Sequence, residues 1–372
     1  MESQKVASCN VVDTNVMVNQ KGKIYPKLLD EAVEKISDKN ISEILNYDQP
    51  LNEDFDEYNA MLTEFAIDNI SQLEDGRLQM PLLWNPKVAH LLGKNFNLAR
   101  RVLESNLKRL NRVDGGLEMT DRVIEELKDL DIIEKIDNLE LFERENPSCT
   151  YIPHMPVFRL DKESSPCTVV YLSNLCEQRK GNVKTLSHNQ VISSGTNLNS
   201  KLLTSLMLLR FDQYLMIFDL VKAFLQISLP EQDQNKLILL WYANVKNKNF
   251  EIVAYRTKRL PFGIPLLMIA LYKILVLDTE TDHEELVAIK KLIFELAYMD
   301  NLAFSSPSVD KLNFVYDNIK DVFHPYKFNL QQFATNEPTL SANINQSSEK
   351  KVNLLGVLWN TVSDTISMNA NA

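Results

Sequence analysis

Two short segments carry the residue types best suited to chemistry. In Phe218-Asp219-Leu220-Val221-Lys222-Ala223-Phe224 an apolar run delivers one carboxylate at its end, and an aromatic follows shortly after. In Tyr298-Met299-Asp300-Asn301 a polar, acidic pair interrupts a second apolar run, as the tight turn of a hairpin does. Carboxylates brought together from two strands can hold divalent cations about 4 Å apart, activating an attacking oxygen and stabilising a leaving one in phosphoryl transfer. Leu260-Pro261-Phe262-Gly263 lies between them. Taken singly, an Asp after an apolar strand is a turn or cap residue. The order and spacing of the three segments point to a site.

A scaffold has to bring them together, and the chain has the apolar mass for one: 372 residues, 45% hydrophobic and 24% charged. Residues 94–113 read as an amphipathic helix with Leu103, Leu107 and Leu110 on one face and Lys94, Arg101, Lys108, Arg109 and Arg112 around it, stopped by Asp114-Gly115-Gly116. A second helix is expected over residues 120–136, with Val123, Leu127 and Leu130 inward. After Pro147 the texture changes to short apolar runs. Residues 168–172, 215–218, 237–242 and 252–255 read as strands, as do 297–304 and 353–359. Residues 266–277, 284–297 and 309–322 read as helices. This mixed order predicts an α+β fold with an antiparallel sheet.

Composition removes several classes. Only 9 glycines occur, and neither GxGxxG nor GxxxxGK[ST] is present, which argues against a Gly-rich phosphate cradle. Cys9, Cys149, Cys167 and Cys176 form no CxxC pair, and the five histidines form no HExxH motif. Asp13-Thr14-Asn15 falls short of an aspartic protease's DTG, because Asn replaces the Gly. No run approaches 18 apolar residues and residues 1–13 show no signal-peptide core, so a soluble, intracellular protein of a reducing compartment is expected. A net charge of -10 means that any contact with a polyanion depends on a local basic groove. Lys246, Lys248, Arg256, Lys258 and Arg259 suit a solvated hairpin tip as well as they suit template phosphates. Trp241, Tyr242 and Trp359 fit core strand positions better than base-stacking platforms.

The series FDLVKAF, LPFG, YMDN, FNL and LLGVLW resembles, in that order, the palm motifs of a reverse transcriptase. More narrowly, the chain is similar to the polymerase segment of Bel/Pao-type LTR-retrotransposon polyproteins, with support from DGRLQMPLLW, YIPH, LLRF and FLQI, over residues 60–365. The resemblance implies a right-hand polymerase. Residues 1–75 would be an acidic linker or accessory helices, 76–145 a helical region leading into the fingers, 146–365 fingers and palm with a truncated thumb, and 366–372 a tail. Asp219 matches the first metal ligand and Asp300 the first carboxylate of the YxDD turn, with Asn301 as a poor third ligand for two Mg²⁺ ions. Phe224 matches the steric gate against a ribose 2′-hydroxyl. Leu260, Pro261, Phe262 and Gly263 match the loop beside the incoming nucleotide. Tyr298 and Met299 flank the primer end, and Leu355, Gly356 and Trp359 fall in the primer-grip hairpin. The implied partners are an RNA or DNA template with its primer and deoxynucleoside triphosphates, and no membrane.

Departures from that pattern matter as much. Asn301 replaces a carboxylate where phosphoryl transfer most needs charge. The fingers stretch Thr168-Val169-Val170-Tyr171-Leu172 lacks the family's Arg, Ile264-Pro265 replaces the Ser-Pro after LPFG, and Gln331-Gln332 stands where a Lys is common. Each removes a charge-assisted contact or an ordered turn. Impaired catalysis is therefore expected, the alternatives being an inactive remnant or a domesticated nucleic-acid-binding protein. A mixed α/β interaction protein would instead keep Asp219 and Asp300 far apart.

Overall fold

The computed structural model describes residues 53–158, 166–177, 185–199, 202–262, 264, 266–344, 351–355 and 357–368. Asp13-Thr14-Asn15, the first two-thirds of the stretch 1–75, Gly263 and Gly356 lie outside the described residues. The main helices are α1 (Glu53–Asn69), α2 (Phe96–Leu110), α3 (Gly116–Asp129), α4 (Leu267–Tyr272), α5 (Glu284–Leu296) and α6 (Val309–Phe323). The strands are β1 (Ser71–Gln72), β2 (Leu78–Gln79), β3 (Ile133–Lys135), β4 (His154–Phe158), β5 (Cys167–Tyr171), β6 (Tyr214–Leu220), β7 (Ile238–Asn244), β8 (Asn249–Thr257), β9 (Asn301–Ser306), β10 (Leu330–Thr335), β11 (Lys351–Leu354), β12 (Val357–Asn360) and β13 (Thr365–Met368). They pair antiparallel into sheets ordered β10-β6-β9, β3-β8-β7 and β11-β12-β13, with two-stranded β1-β2 and β4-β5. Among the described residues no helix is long and apolar enough to cross a membrane.

The sheet β10-β6-β9 is apolar on both faces except at one end, and strand alternation shows why. Met216, Phe218 and Leu220 point to the back, where Leu302 and Phe304 join Leu312, Val315, Ile319 and Phe323 of α6. Phe218 also stacks on Phe333 of β10, ring centroids 5.4 Å apart. Leu215, Ile217, Ala303 and Ala334 point to the front, into a separate cluster with Leu209, Leu296, Leu354 and Trp359. The β11-β12 hairpin therefore covers the front face. At Asp219 that face turns polar.

Three boundaries differ from expectation. Helix α3 starts at Gly116, so its buried series is Leu117, Thr120, Asp121, Ile124 and Leu127. Leu130, expected inward, is 46% exposed. Asp131 breaks the helix in a left-handed conformation (φ 54), and Ile133–Lys135, expected to continue it, pair instead with Thr257–Tyr255. Residues 353–359, a strand by their apolar pattern and a hairpin by the resemblance, turn at Leu355 (φ 51) between β11 and β12, as the hairpin requires. Strand β13 occupies residues assigned to a tail, because Ile366 and Ser367 pair with Trp359 and Leu358.

The β1-β2 hairpin turns through Asp75-Gly76-Arg77 against the segment His324–Tyr326. Gln72 Nε2 donates to the Gly76 carbonyl at 2.9 Å and to the Pro325 carbonyl at 3.0 Å. Gly76 has φ 96, and a Cβ on it would run into the Pro325 carbonyl oxygen. Gly76→Ala is thus expected to cost about 2–3 kcal/mol, combining left-handed strain with overpacking. A thermal melt showing a native midpoint would refute this.

Candidate active site

The polar end of the front face is set by strand register. Asp219 of β6 lies directly across from Asn301 of β9 on one side and Gln331 of β10 on the other. Directly opposed residues share a face, with Cβ atoms about 4.5–5.5 Å apart. Asn301, Asp219 and Gln331 therefore form a row of one carboxylate between two carboxamides. The neighbouring row on the same face, Ala303, Ile217 and Ala334, packs into the apolar cluster beneath the β11-β12 hairpin.

A two-residue turn brings Asp300 to the same end. Tyr298 and Asn301 exchange both backbone hydrogen bonds, at 3.0 and 3.1 Å. Met299 takes φ 58, whereas Asp300 keeps a negative φ, which is the II′ geometry that glycine normally serves at its first central position. A Met there carries local strain of about 1–2 kcal/mol. Contacts from outside the turn hold it. The Asn199 side-chain oxygen accepts from the Met299 N–H at 3.4 Å, and the Leu220 N–H donates to the Asp300 carbonyl at 3.3 Å. The residue after Asp219 is thus bonded to Asp300 itself. Burial pushes the Asp300 carboxyl above the ordinary carboxylate value, a shift that a nearby cation opposes. The Asn301 amide donates to that carboxylate at 3.4 Å. The donors this end offers a cation are two carboxylates and the oxygens of two amides. Among the described residues, no group of three or more His, Cys, Asp or Glu side chains is placed to hold a metal.

Phe224, five residues beyond Asp219 in the chain, meets Phe262. Lys222 turns the chain sharply in a left-handed conformation (φ 48) and starts the short helix Ala223–Gln226. Its ammonium pairs with Glu126 of α3. The helix delivers the Phe224 ring to 5.2 Å from the Phe262 ring, centroid to centroid. The Leu260 N–H donates to the Ile227 carbonyl at 2.9 Å and ties the two segments together. Leu260 and Pro261 are buried, and Phe262 is half-buried.

The structure thus brings together Asp219, Asp300, Asn301, Tyr298 and Met299 at one sheet end, and Phe224, Leu260, Pro261 and Phe262 in an adjoining group. Leu355 packs half-buried on the front-face cluster that includes Ile217. Trp359 takes the core position its strand pattern indicated and not the primer contact the resemblance implied. Its ring is fully buried in that cluster, and its Nε1 donates to Asp364 Oδ1 at 2.9 Å, so it serves packing and offers no face to a strand. Trp241 and Tyr242 are likewise buried, as their strand positions indicated. The basic run before LPFG is largely neutralised. Arg256 pairs with Glu134 at 2.6 Å and Glu231 at 2.8 Å, and Lys258 pairs with Asp131 at 2.7 Å. Asn199 was missed by the sequence reading; the polar run Ser193-Ser194-Gly195-Thr196-Asn197 before it was its only signal.

No family model matches the chain, and no curated protein matches it. Solved structures similar to it include the foamy viral protease-reverse transcriptase in complex with an RNA/DNA hybrid, at 13% identity and a TM-score of 0.43, covering 68% of this chain and 27% of that one. Another is the dRH form of that protein in complex with double-stranded DNA, at 14% identity and a TM-score of 0.41, covering 68% of this chain and 35% of that one. The chain therefore spans about a third or less of the length of these solved chains.

Proposed function

We propose that this chain is a reverse-transcriptase-like polymerase domain of Bel/Pao retrotransposon type, built to add deoxynucleotides to a primer 3′-hydroxyl on an RNA or DNA template, with a centre weakened at one ligand. The observation that carries the reading is the register setting Asp219 across from Asn301 while Leu220 bonds Asp300. Segments far apart in the chain, each suited to one part of a phosphoryl-transfer site, converge at one sheet end. The Phe224–Phe262 contact supports the adjoining group as the nucleotide pocket.

In this reading Asp219 and Asp300, with the Asn301 amide oxygen, hold Mg²⁺. That donor set fits one such ion, which commonly takes one or two carboxylates and completes its shell with waters and substrate phosphates. When bound, the ion supplies Lewis-acid activation and charge neutralisation. A second ion has little protein charge left to hold it and depends on the phosphates of a deoxynucleoside triphosphate. Phe224 excludes a ribose 2′-hydroxyl, Phe262 bears on the nucleotide with the buried Leu260 and Pro261 holding the loop behind it, and Tyr298 and Met299 orient the primer end. A second reading, nucleic-acid binding without chemistry, is favoured by the two carboxamides flanking Asp219.

Primer extension on poly(rA)/oligo(dT) tests the proposal. Slow, Mg²⁺- or Mn²⁺-dependent incorporation that vanishes in Asp219→Ala is expected. Extension that survives Asp219→Ala overturns the site assignment. Tight duplex binding, indifferent to chelator and without extension, establishes the second reading.

A further inference from the structure

We infer that Arg77 and Arg259 form a phosphate-binding subsite for the backbone of a nucleic-acid strand, next to the Phe224–Phe262 group. The inference rests on the nucleic-acid reading above but uses residues that reading leaves unassigned. Three short segments run side by side here with Ser228 in the middle, bridged to Gln79 on one side and Arg259 on the other. Both arginines reach toward that centre. Arg77 Nη1 donates to the Gln226 side-chain oxygen at 2.6 Å, and Arg259 Nη1 donates to the Ser228 hydroxyl. Gln226 also donates to the Val221 carbonyl at 3.3 Å, linking Arg77 to the segment that carries Asp219.

Both guanidiniums keep unspent donors. Arg77 gives its Nε to Asp75 at 3.0 Å and one Nη to Gln226. The Arg259 side chain is 8% exposed, its Nε is buried without a partner, and its nearest carboxylate, Asp131, is 3.9 Å away. Burying a guanidinium beside another cation is unfavourable unless its donors are met. Burial and the Arg77 charge both push the Arg259 pKa down, and a bound anion reverses that pressure. The balancing carboxylates are exchangeable, because Asp75 is 51% and Asp131 64% exposed. Ion pairs so open contribute only about 0–1 kcal/mol.

The charge count selects the ligand. Arg77, Lys258 and Arg259 against Asp75 and Asp131 leave one formal positive charge, and Lys327, whose Cε comes within 3.6 Å of a Cβ placed on Gly76, adds a second at the edge. That suits one or two backbone phosphodiesters and falls short of a free triphosphate. The guanidinium fork suits phosphate oxygens geometrically.

The test is anisotropy of a labelled single-stranded oligodeoxynucleotide against the full chain across a salt series. Arg77→Gln is expected to weaken binding several-fold at low salt and to flatten the log–log salt slope by about 0.7, one phosphate contact on a single strand. Asp131→Asn, which frees Lys258 and Arg259, is expected to tighten binding and steepen the slope. Should Arg77→Gln melt early, Asp131→Asn alone decides by its opposite sign. Native affinity and slope in both folded variants overturn the subsite and leave the nucleic-acid reading standing. Effects confined to competition by a free deoxynucleoside triphosphate also overturn it, assigning the arginines to the nucleotide. A native chain that binds no oligonucleotide removes both.

Discussion

Asn301→Asp is expected to raise the rate of primer extension by about 100-fold over the native chain, the scale on which one well-placed electrostatic contact is worth two to three orders of magnitude in kcat. The substitution is nearly isosteric, and its backbone is already held by the Tyr298–Asn301 exchange. What changes is charge, directly across the sheet from Asp219. Three clustered carboxylates repel one another without a cation, so the gain carries a signature. The variant melts earlier than the native chain in chelator and recovers when Mg²⁺ is added. Gln331, on the other side of Asp219, and the uncharged stretch Thr168–Leu172 limit the gain. Single-turnover extension with a saturating primer–template measures it, and a rate no higher than native at every Mg²⁺ concentration refutes it.

Acid is expected to unfold the protein through two histidines. His154 and His188 are buried, and burial lowers each pKa to about 4. His188 Nε2 lies 2.9 Å from the Lys236 carbonyl oxygen, an acceptor only, so that nitrogen carries the proton and Nδ1 is bare and buried. Nε2 of His154 is likewise buried without a partner. The unfolded chain takes up a proton on each near pH 6.5, whereas the folded chain refuses it until about pH 4. Stability is therefore full above the unfolded value and falls as pH drops through that window. Each histidine contributes on the order of 3 kcal/mol, so the pair approaches the ~5–15 kcal/mol that holds a typical domain. Asp233 and Asp300, whose carboxyls burial raises, act in the opposite direction and offset part of the loss. Denaturant melts from pH 7.5 to 4 check this. His188→Gln should be less stable at neutral pH yet show a shallower acid slope, and a slope equal to native contradicts the account.

Much of the site was legible because its signals are local. An apolar strand ending in Asp219, a polar pair inside an apolar run and Leu260-Pro261-Phe262 each announce themselves within a few residues, and their order along the chain marked the candidate site. The helix over Phe96–Leu110 and the strands around Trp241 and Tyr255 were legible for the same reason: their periodicity matches their burial. What stayed hidden depends on partners distant in sequence. Nothing local says that Ile133–Lys135 will pair with β8, or that Trp359 will close the front of β6. Arg256 and Lys258 looked available to phosphates until Glu134, Glu231 and Asp131 arrived beside them from other elements. Gln331 was visible as a departure from a pattern. Its place opposite Asp219 follows only from register, which a bulge between Gln331 and Ala334 resets.

The central claim is that the sheet end carrying Asp219 and the turn Tyr298–Asn301 receives the 3′ end of a primer. Photocrosslinking tests it most directly, because it needs no catalysis. A primer with a diazirine on its 3′-terminal nucleotide, annealed to a template, would be irradiated with the full chain and the labelled peptides mapped by mass spectrometry. The account places the label on peptides containing Tyr298 to Asn301 and Leu355, with loss of the signal when unlabelled duplex competes. Labelling confined to the basic face of α2, or spread without competition, would contradict it.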